Sequence, residues 1–139
     1  MERKSLKKGQ SSMEYLILLA FIMGITLVLV LLFQTYSQET MDTIRMKQLD
    51  QVARKIIDSA EKVYYLGEPS KITVKANLPA NVKSVHIGNK EIYFIVSTAQ
   101  GDNELVYATK INVTGTIPVN EGIYEIKVES KGNYVQISS

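Results

Sequence analysis

Nineteen consecutive residues, Tyr15 to Phe33 (YLILLAFIMGITLVLVLLF), carry no charge, and from Tyr15 to Gln38 there is no Asp, Glu, Lys or Arg. As a helix at about 1.5 Å per residue, the run spans roughly 28 Å, close to the hydrocarbon thickness of a bilayer. A chain of 139 residues cannot wrap every face of such a helix inside its own core, so the run must meet lipid or other protein helices. Basic residues precede it (Arg3, Lys4, Lys7, Lys8) and no Lys or Arg directly follows it. That asymmetry predicts a cytoplasmic N-terminus with the rest of the chain outside.

The overall composition hides this division. The chain is 45% hydrophobic and 22% charged, with mean hydropathy close to zero. The formal net charge of +2 is also uneven, because residues 1–9 (MERKSLKKG) hold four basic side chains against Glu2. Without them the remainder is slightly acidic, so the basic character belongs to the leader. A nucleic-acid partner is not expected, since a basic footprint should lie on the folded domain. Cysteine is absent, which excludes disulfides, thiolate metal sites and a cysteine nucleophile.

A cleaved secretory signal is the obvious rival for the apolar run. Its core is normally about 7–15 residues and ends in a small-residue cleavage site. This run is longer, and Gln34-Thr35-Tyr36-Ser37-Gln38 follows it, so a retained helix is expected.

Beyond the run the helical period continues. Met41, Ile44, Leu49, Val52, Ala53, Ile56, Ile57, Ala60, Val63 and Tyr64 recur at spacings of three and four, while Asp42, Arg45, Lys47, Asp50, Arg54, Asp58 and Glu61 fall largely off that stripe. Gly67 and Pro69 supply a stop. One helix over 10–66 is therefore expected, about 85 Å long if continuous, with Gly24 its one weak point.

After Pro69 the period becomes strand-like. Ile72, Val74, Ala76 and Leu78 alternate with polar residues. Val85 and Ile87 lead to a hairpin at Gly88-Asn89 and a strand at 91–96. Residues 105–114 read as one strand, with Leu105, Tyr107, Thr109, Ile111 and Val113 on one face. Turns at 120–122 and 131–133 lead to strands at 124–128 and 134–137. Six short strands predict an antiparallel sheet with one apolar face, and the stripe on 41–64 is the available cover. The expected class is α+β: a long N-terminal helix on a small antiparallel β domain. The expected organisation is a basic leader (1–9), an apolar helix (10–37), its amphipathic continuation (38–67) and an extracellular β domain (68–139).

The junction Lys7-Lys8-Gly9-Gln10-Ser11-Ser12-Met13-Glu14-Tyr15 carries the functional signal. Charge precedes the apolar run, and one carboxylate, Glu14, sits at its edge. Glu14 can be a solvated headgroup-level residue, or it can be needed there. Cutting after Gly9 would free an amine at Gln10 and make Glu14 the fifth residue of the mature chain. A carboxylate near a helix N-terminus is favoured by the macrodipole, and it could meet the amine of a staggered neighbour.

Over residues 1–36 the sequence resembles an archaeal type IV pilin-like precursor with a class III signal peptide. Lys8-Gly9-Gln10-Ser11-Ser12-Met13-Glu14-Tyr15 matches that pattern residue for residue. The resemblance implies a membrane precursor whose leader a prepilin peptidase removes between Gly9 and Gln10. It then implies handing over by a pilus assembly machinery and polymerisation of the apolar helix into the core of a homo-oligomeric surface filament. Glutamate at mature position five points to the adhesive-pilus class over the archaellum filament protein. From Gln38 onwards nothing is similar to a known family.

Other candidates are weaker. Asn112-Val113-Thr114 is an N-glycosylation sequon on the polar side of its predicted strand. His86 is the only histidine, and no second ligand for a metal site accompanies it. Tyr64-Tyr65 and Tyr93-Phe94 read as packing residues, and the methionines as helix filler. With no Gly-rich phosphate loop, His–nucleophile pair or carboxylate dyad, neither enzyme activity nor a cofactor is expected. The competing reading is a membrane anchor that displays a non-polymerising β domain for a surface ligand.

Overall fold

A computed structural model describes residues 12–139 in full and residues 3–11 as helical backbone only. The helix α1 runs from Arg3 to Leu66 without a break, passing through Gly24. The weak point at Gly24 does not loosen it. Gly67 ends it: at φ +75° its N–H donates to the carbonyls of Val63 (3.1 Å) and Tyr64 (3.2 Å), satisfying helix-terminal acceptors. The chain divides into two units, residues 1–40 and residues 41–139.

The second unit joins the last third of α1 to a seven-stranded sheet. Its strands are β1 (Lys71–Leu78), β2 (Val82–Gly88), β3 (Glu91–Thr98), β4 (Gly101–Ala108), β5 (Val113–Gly115), β6 (Gly122–Ser130) and β7 (Val135–Ser138). Their order across the sheet is β1-β6-β7-β5-β2-β3-β4, which leaves β1 and β4 as the edges. The helix stripe Leu49, Val52, Ala53, Ile56, Ala60 and Val63 is buried in one cluster with the inner faces of the strands. Phe94 on β3 is the largest fully buried side chain. The α+β class follows directly from this packing.

Four details differ from the sequence expectations. First, residues 105–114 are not one strand: β4 ends at Ala108 and β5 begins at Val113. Thr109, Ile111 and Val113 remain buried, so the alternation reports an inward face that outlasts the strand. Second, the sheet is not wholly antiparallel, because β5 and β7 pair in parallel. Third, the β2–β3 hairpin turns at Asn89-Lys90, both at positive φ (52° and 67°). That is the geometry of a two-residue loop matched to sheet twist, one residue later than Gly88-Asn89. Fourth, the helix stripe begins differently: Met41 and Ile44 are 54% and 45% exposed, whereas Asp42 is 8% exposed.

Asp42 explains that last difference. Its Oδ2 accepts a hydrogen bond from the Ala99 backbone N–H (2.9 Å), and its Oδ1 accepts one from the Arg45 guanidinium (2.9 Å). The carboxylate thereby ties the turn between β3 and β4 to the helix and keeps its own charge partnered, as a buried acid requires. Asp42→Ala strands the Ala99 donor and should lower stability by about 1–3 kcal/mol, read as a lower urea midpoint of the full chain in detergent.

Gly115 is the closest backbone approach in the sheet. It sits at φ +144°, pairs with Ile87 of β2 on one side and Ile137 of β7 on the other, and a Cβ there would overlap the Ile137 carbonyl. Neither neighbour can withdraw without opening the ladder. Gly115→Ala should therefore cost at least about 3 kcal/mol, and the same urea titration should show a larger loss than for Asp42→Ala.

Candidate functional site

In the first unit, every residue from Ser12 to Thr40 is exposed, and the apolar window qualifies by length and composition as a membrane span with none of it buried. Backbone polarity is settled inside the helix, the condition for entering a medium without water. The three threonine hydroxyls behave alike. Thr26 Oγ1 donates to the Ile22 carbonyl (2.8 Å), Thr35 Oγ1 to Leu31 (3.2 Å) and Thr40 Oγ1 to Tyr36 (2.9 Å). Each lies four residues back, so no threonine here needs an outside partner. This surface is prepared for an apolar environment and unsuited to water.

Small residues shape one side of it. Ala20 and Gly24, one turn apart, floor a shallow groove bordered by Phe21, Ile25, Val28 and Leu29. A Cβ on Gly24 would meet nothing within the chain. The glycine thus serves no packing need of its own helix, and the groove it leaves lets another helix approach closely.

Glu14 is exposed on the helix one residue before the apolar run. Beyond helical backbone, Gly9 and Gln10, the processing pair expected from the sequence, lie outside what the structure describes. No side-chain geometry relates them to Glu14.

Asn112 is exposed, in the connection between β4 and β5, and not on a strand as the sequence suggested. Its carbonyl accepts the Val135 N–H (2.9 Å), which fixes the backbone while the side chain stays outside. Thr114 is exposed as well, so both determinants of the sequon are reachable. His86 stacks on Tyr93 across the β2–β3 pair, with ring centroids 4.9 Å apart. Among the described residues no group of three His, Asp or Glu side chains could hold a metal ion.

An ion pair on α1 lies beside Tyr107 of β4. Arg54 Nε donates to both oxygens of Asp50 (3.1 and 3.0 Å), and the hydrogen bond from Arg54 holds the Asp50 carboxyl below its ordinary range, helped by the Tyr107 hydroxyl. Tyr107, on β4, is pushed above the ordinary phenol range by burial first and by the Asp50 charge second. Such a tyrosine is a poorer acid than usual, the reverse of what a catalytic phenol needs. The ion pair itself lies wholly on α1, and the Tyr107 phenol on β4 is close enough to feel the Asp50 charge. Sequence reasoning missed this proximity and Asp42 alike, because both depend on which strand lies beside which helix flank.

No family model matches the chain, and neither a curated protein nor a solved structure matches it significantly.

Burial of the Tyr107 phenol beside the Asp50 charge makes stability sensitive to alkali. A phenol whose folded pKa is raised stabilises the fold fully below the unfolded value near 10. That contribution is lost as pH rises through the higher folded value. Unfolding midpoints of the full chain should therefore fall above about pH 10, and Tyr107→Phe, which cannot ionise, should flatten that fall while costing little at pH 7.

Proposed function

We propose that this chain is a pilin-like precursor: a membrane-inserted subunit that loses its basic leader and polymerises through its apolar helix into an extracellular, adhesive filament. The observation that carries this reading is the pairing of two features. One is an apolar helix surface that the chain leaves wholly uncovered. The other is the Lys8-Gly9-Gln10…Glu14 junction directly ahead of it. Uncovered apolar surface needs lipid or protein. A junction of this kind supplies the means to pass from one to the other, by removing the charged stub that holds the helix in the membrane.

In this scheme the precursor sits N-in, the prepilin peptidase cuts between Gly9 and Gln10 on the cytoplasmic side, and the assembly machinery lifts the helix from lipid into a bundle of identical helices. The groove at Ala20 and Gly24 suits that bundle. A membrane anchor for a solitary β domain needs the apolar run but has no use for Gly9-Gln10 or for a glutamate at the fifth mature position.

Glu14 then has a defined task. In lipid it rests at the headgroup level. In the bundle it accepts the new amine of Gln10 on a neighbouring copy. Removing one partner of a buried charge pair costs about 3–5 kcal/mol, much of it from stranding the other charge, and the loss recurs with every added subunit. Co-expression with a prepilin peptidase should give a mature mass beginning at Gln10 and surface filaments by electron microscopy. Glu14→Gln should leave insertion and leader removal intact and shorten or abolish filaments, and Glu14→Asp should fall between. Retention of Met1 in assembled material, a start beyond Phe33, or full filament yield from Glu14→Gln would each contradict the scheme.

A further inference from the structure

The two sheet edges are unlike each other and match. β1 and β4 are both eight residues long, each pairs on one side only, and each offers its other side unpaired. Side chains on the outer face of β1 include Lys71 and Lys75; those of β4 include Asp102 and Glu104. Lys75 is shared loosely with Glu125 (3.5 Å), and Asp102 is held by Lys83 (2.6 Å). Glu104 is exposed and has no ion-pair or hydrogen-bond partner among the described residues. Exposed edges are commonly blunted by charged side chains, proline, bulges or a cover. Here the charge stops at Glu104, and Leu105-Val106-Tyr107-Ala108 follows, with Val106 55% exposed.

From this we infer that β4 of one copy adds to β1 of the next, continuing the sheet from molecule to molecule. Antiparallel alignment over all eight residues sets Glu104 opposite Lys75, Asp102 opposite Asn77, and Val106 opposite Thr73 on the outer face. On the inner face it sets Leu105 opposite Val74 and Tyr107 opposite Ile72. A one-residue slip would turn every inner side chain outward. A two-residue slip one way sets Glu104 opposite Asn77 and loses the charge pair; the other way it sets Glu104 opposite Thr73 and offers Lys75 only Asp102, which Lys83 already holds. Lys55 Nζ donates to the Lys75 carbonyl (3.1 Å), which caps the β1 edge in the free chain. That exposed lysine must swing aside for the strand to dock, so pairing is favoured only where subunits are already concentrated.

Because β4 and β1 are different surfaces, the contact is heterologous and does not close on two copies. It is thus a lateral contact between folded domains, separate from the helix bundle, and it rests on the homopolymer reading above. The alternative role for Glu104 is to repel other edges. The two roles predict opposite effects of removing its charge.

The chain has no native cysteine, so introduced pairs report cleanly. Residues directly opposite in an antiparallel ladder have Cα atoms about 4.5–5.5 Å apart, within disulfide reach. Full-length chain carrying Glu104→Cys with Lys75→Cys, or Val106→Cys with Thr73→Cys, is oxidised in filaments and in membranes and resolved without reductant. The expected result is a ladder extending beyond dimer, at least about fivefold above each single-cysteine chain and above the out-of-register pair Glu104→Cys with Lys71→Cys, whose Cα atoms are kept roughly 13 Å apart. Glu104→Ser should reduce lateral association severalfold. Filaments that form but yield only monomer would overturn edge pairing and leave the filament reading standing. Ladders without filaments would do the reverse. Dimers equal to the single-cysteine level, an intramolecular disulfide, or more association from Glu104→Ser would each overturn the inference.

Discussion

The governing constraint is a single helix that must satisfy two different surroundings. Its backbone needs nothing from outside, since every N–H and C=O beyond the ends is bonded within α1. What changes along its length is only the side-chain surface. From Ser12 to Thr40 that surface is exposed throughout. From Leu49 to Val63 one stripe of it completes the sheet's core. A seven-stranded sheet with one apolar face has no second layer of its own, so the β domain depends on the helix that also carries the apolar run. The sheet's core and the uncovered apolar run therefore draw on one continuous element.

The sheet grips that element at its flanks as well as its floor. Asp42 holds the β3–β4 turn, the Asp50–Arg54 pair lies beside Tyr107 on the β4 side, and Lys55 reaches the β1 edge. The exposed pairs among these contribute little individually. Asp42 is different because it is nearly buried and bonds a backbone donor that has no other partner. It marks where packing on the sheet begins, seven residues before the first fully buried leucine.

Much of this was legible in the sequence, and the misses share a cause. The change from a 3.6-residue to a two-residue period around Gly67 and Pro69 separates helix from sheet without any knowledge of contacts. The stripe from Leu49 to Val63 reads correctly because charged residues border it on both sides. Around residue 41 that border vanishes: apolar Met41 and Ile44 flank Asp42, and periodicity selects the apolar pair. Only the position of Ala99, 57 residues away, makes the aspartate the inward residue. The break between β4 and β5 was hidden for a related reason, because Thr109, Ile111 and Val113 keep pointing inward after the ladder ends. The parallel β5–β7 pairing and the demand for glycine at 115 are properties of neighbours brought together by topology, and no local pattern encodes them. Of the candidate site, the sequon and Glu14 were visible as motifs, whereas their surroundings were not.

Met41 and Ile44 bear on what the apolar surface is for. Both lie on the side of the helix turned away from the sheet and are about half exposed, beyond the stretch that a bilayer of roughly 30 Å would cover. Scattered exposed apolar residues are ordinary on any protein. These two, however, lie one turn apart on a helix whose opposite side is fully used, which makes them a continuation of surface rather than isolated exceptions. An anchor holding a solitary domain would leave them in water at the point where the chain emerges. Packing among identical helices would cover them along with the run that precedes them, and the same contact would shield the Asp42 carboxylate further from competing water. The surplus of apolar surface past the span thus accords with the proposed packing against other helices better than with a solitary anchor.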